Sequence, residues 1–86
     1  MYKVSYRKAA LKALRRMPAP QGQKVRKALS EIARDPYRAR GNQWKPMKGG
    51  DLWRLRHGSY RAICRIDDGE LVILVLKVGP RGDVYK

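Results

Sequence analysis

The stretch LWRLRHGSYRAICRI, residues 52 to 66, carries four arginines, Arg54, Arg56, Arg61 and Arg65, in a segment that alternates, turns at Gly58 and alternates again. A guanidinium is a planar fork of donors that grips phosphate bidentately and effectively never loses its charge. Several on neighbouring strands point to the binding of phosphate. If Gly58 and Ser59 form a two-residue hairpin loop, His57 faces Tyr60, Arg56 faces Arg61, Leu55 faces Ala62, Arg54 faces Ile63 and Trp53 faces Cys64. Alternation then puts Trp53, Leu55, Ala62 and Cys64 on one face, and Arg54, Arg56, Arg61 and Ile63 on the other. Like charges directly opposite each other destabilise a sheet. A broken local rule without visible compensation usually marks a functional site. Arg56 against Arg61, with Arg54 beside them, therefore reads as a site prepared for an anion. The plainer alternative is a set of solvated arginines guarding an exposed face against aggregation, a task lysine would serve as well.

Other residues bear on the same chemistry. Trp44, Lys45 and Lys48 precede the hairpin in a polar stretch. The lysines suit RNA phosphates, and Trp44 either stacks on a nucleobase or caps the thin core. Arg65 adds to the basic strand face. Cys64 is the single cysteine and His57 the single histidine, and nothing in the sequence pairs them. Cys64 reads as a buried reduced thiol filling the core, and His57 as a hairpin-end residue on the parity of the helix-facing side. The acidic residues are few and scattered, with no Cys/His cluster, so no metal site and no cofactor are expected. Asp67 and Asp68 belong to a turn, so no carboxylate pair offers acid–base work. The lone Gly pair in MKGGD is too weak a signal for a nucleotide loop.

Charge sets the partner class. Twenty-one Lys and Arg against seven Asp and Glu give a net charge of +14 among 86 residues. Self-repulsion on that scale disfavours compactness, so a polyanion, nucleic acid first, is the expected partner. The length fits one domain, residues 1–86, with one thin core. No apolar run reaches the ~18 residues of a membrane span. MYKVSYRK lacks the apolar region of a signal peptide. These features and the lone thiol point to a cytoplasmic setting with no membrane partner.

The elements that must position the arginines follow from periodicity. MYKVSYR alternates as a half-buried strand. KAALKALRRM is rich in helix formers, with Ala10, Leu11, Leu14 and Met17 on one face, and must stop at the PAP of residues 18 to 20. A second helix is expected from about residue 21 to residue 34, with Val25, Ala28, Leu29, Ile32 and Ala33 as its stripe. Residues 36 to 51 read as a loop. LVILVLKV, residues 71 to 78, reads as a central strand buried on both faces. Asp68-Gly69 predicts a two-residue turn pairing Ile66 with Leu71, Cys64 with Ile73, Ala62 with Val75, Arg65 with Val72, Ile63 with Leu74 and Arg61 with Leu76. The order is β-α-α-β-β-β: a two-layer α+β fold, two helices on one face of a mostly antiparallel sheet.

KPMKGGDLWRLRHGSYRAICRI and LKVGPRGDVYK carry a family resemblance. They resemble the K-L-K-G…L-Y-R-L-R-V-G-x-Y-R-V-I-Y and V-x-H-R-x-x-V-Y patterns of the RelE/ParE superfamily of toxins from toxin–antitoxin pairs. The N-terminal strand and both helices fit too, so the resemblance covers nearly the whole chain. In that superfamily the RelE branch cuts messenger RNA in the ribosomal A site, whereas the ParE branch binds DNA gyrase and has no nuclease activity. A terminal Arg followed by a Tyr resembles the RelE branch. The resemblance implies a RelE-like fold and a metal-independent endoribonuclease with Arg54, Arg56, Arg61, Arg81 and Tyr85 in its site. Its partners would be the ribosome with its RNA, the message and a cognate antitoxin, in a heterotetramer or larger assembly. Cleavage would proceed by 2′-OH attack on the adjacent phosphorus, with Arg61 and Arg81 clamping the phosphate. Tyr85 would accept a proton or stack on a base. Relatives often carry Lys at the places of Arg54 or Arg56, and many carry His where Pro80 stands. The general acid and base are therefore unassigned, and a decayed toxin stays open. The rivals to this reading are a gyrase-binding toxin and a non-catalytic RNA- or ribosome-binding protein.

Overall fold

The computed structural model describes residues 1–38, 40–48 and 50–80. Its elements are β1 (Lys3–Tyr6), α1 (Lys8–Arg16), α2 (Ala19–Ile32), β2 (Trp44–Pro46), β3 (Leu52–His57), β4 (Tyr60–Asp67) and β5 (Val72–Pro80). The strands form one sheet in the order β1-β5-β4-β3-β2. Only β1 runs parallel to its neighbour; the other pairings are antiparallel. Both helices lie on one face, and the core gathers Ala10, Leu14, Val25, Leu29 and Ile32 against Leu55, Ala62, Cys64, Ile73 and Val75.

The helices hold with two corrections. The first ends at Arg16, but Pro20 sits inside the first turn of α2 rather than before it. A proline is tolerated there because that turn's N–H groups have no intrahelical partner anyway. The second helix therefore runs from Ala19 and ends at Ile32, two residues earlier at each end than expected. Gly22, in the first turns of α2, packs close to α1: a Cβ there would lie 3.4 Å from the Leu14 carbonyl oxygen.

The expected loop contains a strand. Trp44, Lys45 and Pro46 pair with Leu55, Arg54 and Trp53, so the sheet has five strands rather than four. Trp44 anchors this edge. It is 1% exposed, its indole Nε1 donates to the Pro36 carbonyl at 2.7 Å, and it stacks on Trp53 at 5.3 Å between centroids. Stacking of Trp44 on a nucleobase is thereby corrected, because neither ring face is open; it caps the core.

The β3–β4 register is the expected one, from Trp53–Cys64 through His57–Tyr60. Gly58 takes a φ of 60°, the left-handed value its two-residue loop requires. The second turn differs. Asp67 pairs with Val72, which leaves a four-residue loop, and the residue with positive φ is Leu71 (55°). The Asp68 carboxylate is claimed from outside the hairpin. Tyr2 Oη donates to Oδ1 at 2.6 Å, and Tyr37 Oη donates to both oxygens at 2.8 Å. The Leu71 carbonyl accepts from the Lys3 amide at 2.9 Å. The shift is two residues, so Cys64 faces Val75 and Arg65 faces Leu74, and the sorting of side chains by face survives. A bulge between Ile63 and Cys64 then sets Ile63 against Lys77, Ala62 against Val78 and Arg61 against Gly79 instead of Leu76. β5 is buried on its helix-facing side at Ile73, Val75 and Val78, but only half-buried on the other at Val72, Leu74 and Leu76.

The Tyr2–Asp68–Tyr37 contact gives a pH signature. The two hydroxyls hold the Asp68 carboxyl below its usual range. The same contact pushes the Tyr2 phenol up to about 12. A raised folded-state value means that the Tyr2 contribution is complete below its ordinary 10.0 and vanishes as pH climbs through about 12. A depressed value means that the Asp68 contribution is present above the ordinary carboxylate range and is lost as pH falls through its folded value. Denaturant melts of wild type and Tyr2→Phe should differ near neutrality and converge at strongly alkaline pH. A constant gap across the alkaline range would show that the phenol does not titrate with folding.

Candidate nucleic-acid interface

Strand alternation fixes which arginines share a surface. On β3, Leu55 is driven into the core beneath the helices, so Arg54 and Arg56 must point away from them. On β4, Ala62 and Cys64 enter the core, and Arg61, Ile63 and Arg65 take the opposite face. Arg56 and Arg61 are direct cross-strand partners, which puts their Cα atoms about 5 Å apart. Arg54 lies two residues along β3, and Lys45 of β2 is its partner on the other side. The basic patch therefore crosses three strands, Lys45–Arg54 on one rung and Arg56–Arg61 on the next.

Each member is held differently. Arg61 is only 7% exposed, and its Nη1 reaches the carbonyls of Gly58 and Tyr60 at 3.4 and 3.3 Å. Those bonds fasten the guanidinium to the hairpin that carries it. Gly79 opposite, placed there by the bulge, presents no side chain against it. Arg56 is exposed, while its backbone amide is tied to the Gln43 carbonyl at 2.8 Å. Arg54 is half-buried, and its Nε is buried without any hydrogen-bond partner. A buried unmade donor costs about 1–3 kcal/mol. Arg54 lines an open cavity of about 330 Å³ with Lys45, Pro46, Met47 and Lys48. Three cations around one open cavity suit an oxyanion.

Arg65 is not part of this group. It lies four residues along β4 from Arg61, roughly 13 Å away. Its Nε meets the Asp51 carboxylate at 3.5 Å, with both side chains exposed. It shares their face, as expected, but not their end of the sheet. Arg81 and Tyr85 lie outside the described residues.

Cys64 and His57 stay outside the site. Burial pushes the Cys64 thiol up to about 12, so it remains protonated, and it faces the helices. His57 is half-buried at the hairpin end opposite Tyr60. Sequence reasoning missed the rung formed by Lys45 and Arg54, because β2 is only three residues long and ends at Pro46. The signal was the alternation of Trp44, Lys45 and Pro46 at the sheet edge, where a proline is tolerated.

Two helices on one face of a mixed sheet, with an arginine cluster on the other, make the α+β fold of RelE-type toxins. An Escherichia coli RelE double mutant in the free state matches with a TM-score of 0.80 at 26% identity, over 98% of this chain and 90% of that one. The RelE–RelB complex from Pyrococcus horikoshii matches with a TM-score of 0.76 at 29% identity, over 95% and 97%. Toxin RelG of Mycobacterium tuberculosis is 30% identical over 59 residues, which is 69% of this chain and 66%, just under two thirds, of that protein. The description "ParE toxin of type II toxin-antitoxin system, parDE" matches residues 4–85. The chain belongs to this toxin family, within the RelE/ParE superfamily.

The unpaired donor makes a stability prediction. Arg54→Met keeps most of the apolar stem and removes the buried N–H. It should raise the unfolding free energy by about 1 kcal/mol in urea melts. Affinity for a short RNA oligonucleotide should fall severalfold in filter binding. A variant that is less stable than wild type would mean that Arg54 has a compensating acceptor.

Proposed function

We propose that this toxin is a ribosome-dependent, metal-independent endoribonuclease that cuts messenger RNA in the ribosomal A site. The observation carrying this reading is the cluster of Arg54, Arg56 and Arg61 on the helix-free face, with Arg54 Nε buried and unpaired. In such a reaction the ribose 2′-OH attacks the adjacent phosphorus and the 5′-oxygen leaves. The protein must align these atoms, spread the charge growing on the phosphate oxygens and move protons. Arg61, already fastened to its hairpin, suits the phosphate clamp because little reorganisation is required. Arg54 and Arg56, with Lys45 and Lys48 beyond them, suit the flanking phosphates. β5 is described to Pro80, the partner of Tyr60, so it approaches the hairpin that carries Arg61. Arg81 follows Pro80 directly. Tyr85 is five residues on, within at most ~18 Å of extended chain. By the family resemblance, both belong to the same site as Arg61. A nearby set of guanidiniums favours the ionised form of a phenol, which suits Tyr85 to take the 2′-OH proton.

The antitoxin complexes of the structural relatives support a cognate antitoxin as partner; an acidic or amphipathic segment is the chemistry that suits this basic surface. The second reading, a gyrase-inhibiting toxin without nuclease activity, is favoured by the ParE description that matches residues 4–85.

A toeprint assay separates the two. Purified protein on programmed ribosomes with an empty A site should cut the message, and the same protein should leave naked message intact. Arg61→Ala should slow the cut at least about 100-fold. Intact message in both tubes, together with growth arrest that survives Arg81→Ala and Tyr85→Phe, would overturn the nuclease reading.

A further inference from the structure

A single extra residue in β5 decides which way Lys77 points. Ile73 and Val75 enter the core beneath the helices. A strict period of two would send residue 77 after them and bury an ammonium in an apolar layer, which is strongly unfavourable. The bulge prevents this. Cys64 faces Val75 and Ile63 faces Lys77, so Leu76 has no partner on β4 and the parity of the strand changes. Val78 then takes the core side, and Lys77 and Gly79 take the side of the arginines. Lys77 is exposed there.

One rung thus crosses four strands: Lys45 of β2, Arg54 of β3, Ile63 of β4 and Lys77 of β5. At ~4.8 Å per strand, the rung is about 14 Å wide. Ile63 is only 5% exposed and forms an apolar floor between two cations. A low-dielectric surface beside charges concentrates their field. Arg56 and Arg61 occupy the next rung, where Gly79 puts no side chain beside Arg61. Arg61 and Lys77 are diagonal neighbours, with Cα atoms ~7–8 Å apart. Keeping residue 77 out of the core does not require a cation. Any polar side chain would serve, and a cation is the least favourable one on a face that already holds Arg54, Arg56 and Arg61. Lysine at this position therefore points to an anion over the β5 side of the sheet.

We propose that Lys77 is a further substrate-binding residue of the sheet-face site, holding the RNA phosphate next to the one that Arg61 clamps, so that the strand leaves the site over β5. This rests on the reading of that face as an RNA nuclease site. A lysine suits the place, because a compact charge on a flexible stem follows a phosphate whose position varies, whereas a guanidinium favours one fixed orientation.

Binding of a single-stranded RNA octamer with every ribose 2′-O-methylated tests the role apart from cleavage, because the blocked oligonucleotide cannot be cut. Lys77→Gln should weaken binding about three- to tenfold and lower the slope of log affinity against log salt by about 0.7, the share of one phosphate contact on a single strand. Lys77→Arg should keep both. Arg34→Gln makes an equal charge change on the α2–β2 connection, beside Glu31 and Asp35, and should keep the wild-type slope. On programmed ribosomes, Lys77→Gln should raise the toxin concentration for half-maximal cutting by more than it lowers the maximal rate, as expected of a binding contact. Wild-type affinity and slope in Lys77→Gln, while Arg56→Gln loses both, would overturn the role of Lys77 and leave the sheet-face site standing. Full affinity in both variants would overturn the sheet-face reading itself. A loss matched by Arg34→Gln would reduce the effect to net charge and overturn the role of Lys77 as well.

Discussion

Alternation along β3 and β4 is the constraint behind every other feature of the molecule. Leu55, Ala62 and Cys64 must be buried beneath two helices, because a chain of this length has no second core in which to place them. Once they point inward, every intervening residue points outward. That geometry gathers Arg54, Arg56 and Arg61 on one surface without any contact that holds them together. The hydrophobic effect on one face thus supplies the work of crowding like charges on the other.

The fold contains devices that make this crowding tolerable. The bulge at Ile63/Cys64 slides Gly79 opposite Arg61, and the turn carbonyls of Gly58 and Tyr60 accept from its guanidinium. Of the four arginines on β3 and β4, the one furthest from the cluster, Arg65, meets a carboxylate, that of Asp51. The acids at the β4–β5 turn are used elsewhere: Asp68 binds Tyr2 and Tyr37, and Asp67 caps the turn by accepting from the Glu70 amide at 3.0 Å. Among the described residues, the acids of the β4–β5 turn lie at the end of that hairpin away from Arg61, where Asp68 ties β1 and the α2–β2 connection to the sheet.

The aromatic side chains divide along the same line. Trp44, Trp53 and Tyr37 form a stacked and edge-on series over the helix-facing edge of the sheet, with Tyr37 to Trp53 at 5.8 Å. They seal a thin core where β2 has few residues to do so. These rings serve stability, and the described part of the basic patch is made of guanidinium and ammonium groups.

Local pattern was enough to define the two helices, the face assignment of every residue in the β3–β4 hairpin, the Gly58–Ser59 loop and the concentration of positive charge. These rest on periodicities of 3.6 and 2, and on a two-residue turn whose geometry needs nothing beyond itself. The remainder emerged from packing. Asp68 is drawn out of its own turn by Tyr2, 66 positions away, and by Tyr37, 31 positions away. That contact lengthens the loop and displaces the β4–β5 register. Burial turned Trp44 from a candidate for base stacking into a core residue, and pairing with β3 turned a loop into β2. Distance along the chain is the physical reason. A contact between residues far apart in sequence leaves no periodic trace in either segment, and it can outweigh the local preference of a short turn or of a three-residue edge strand.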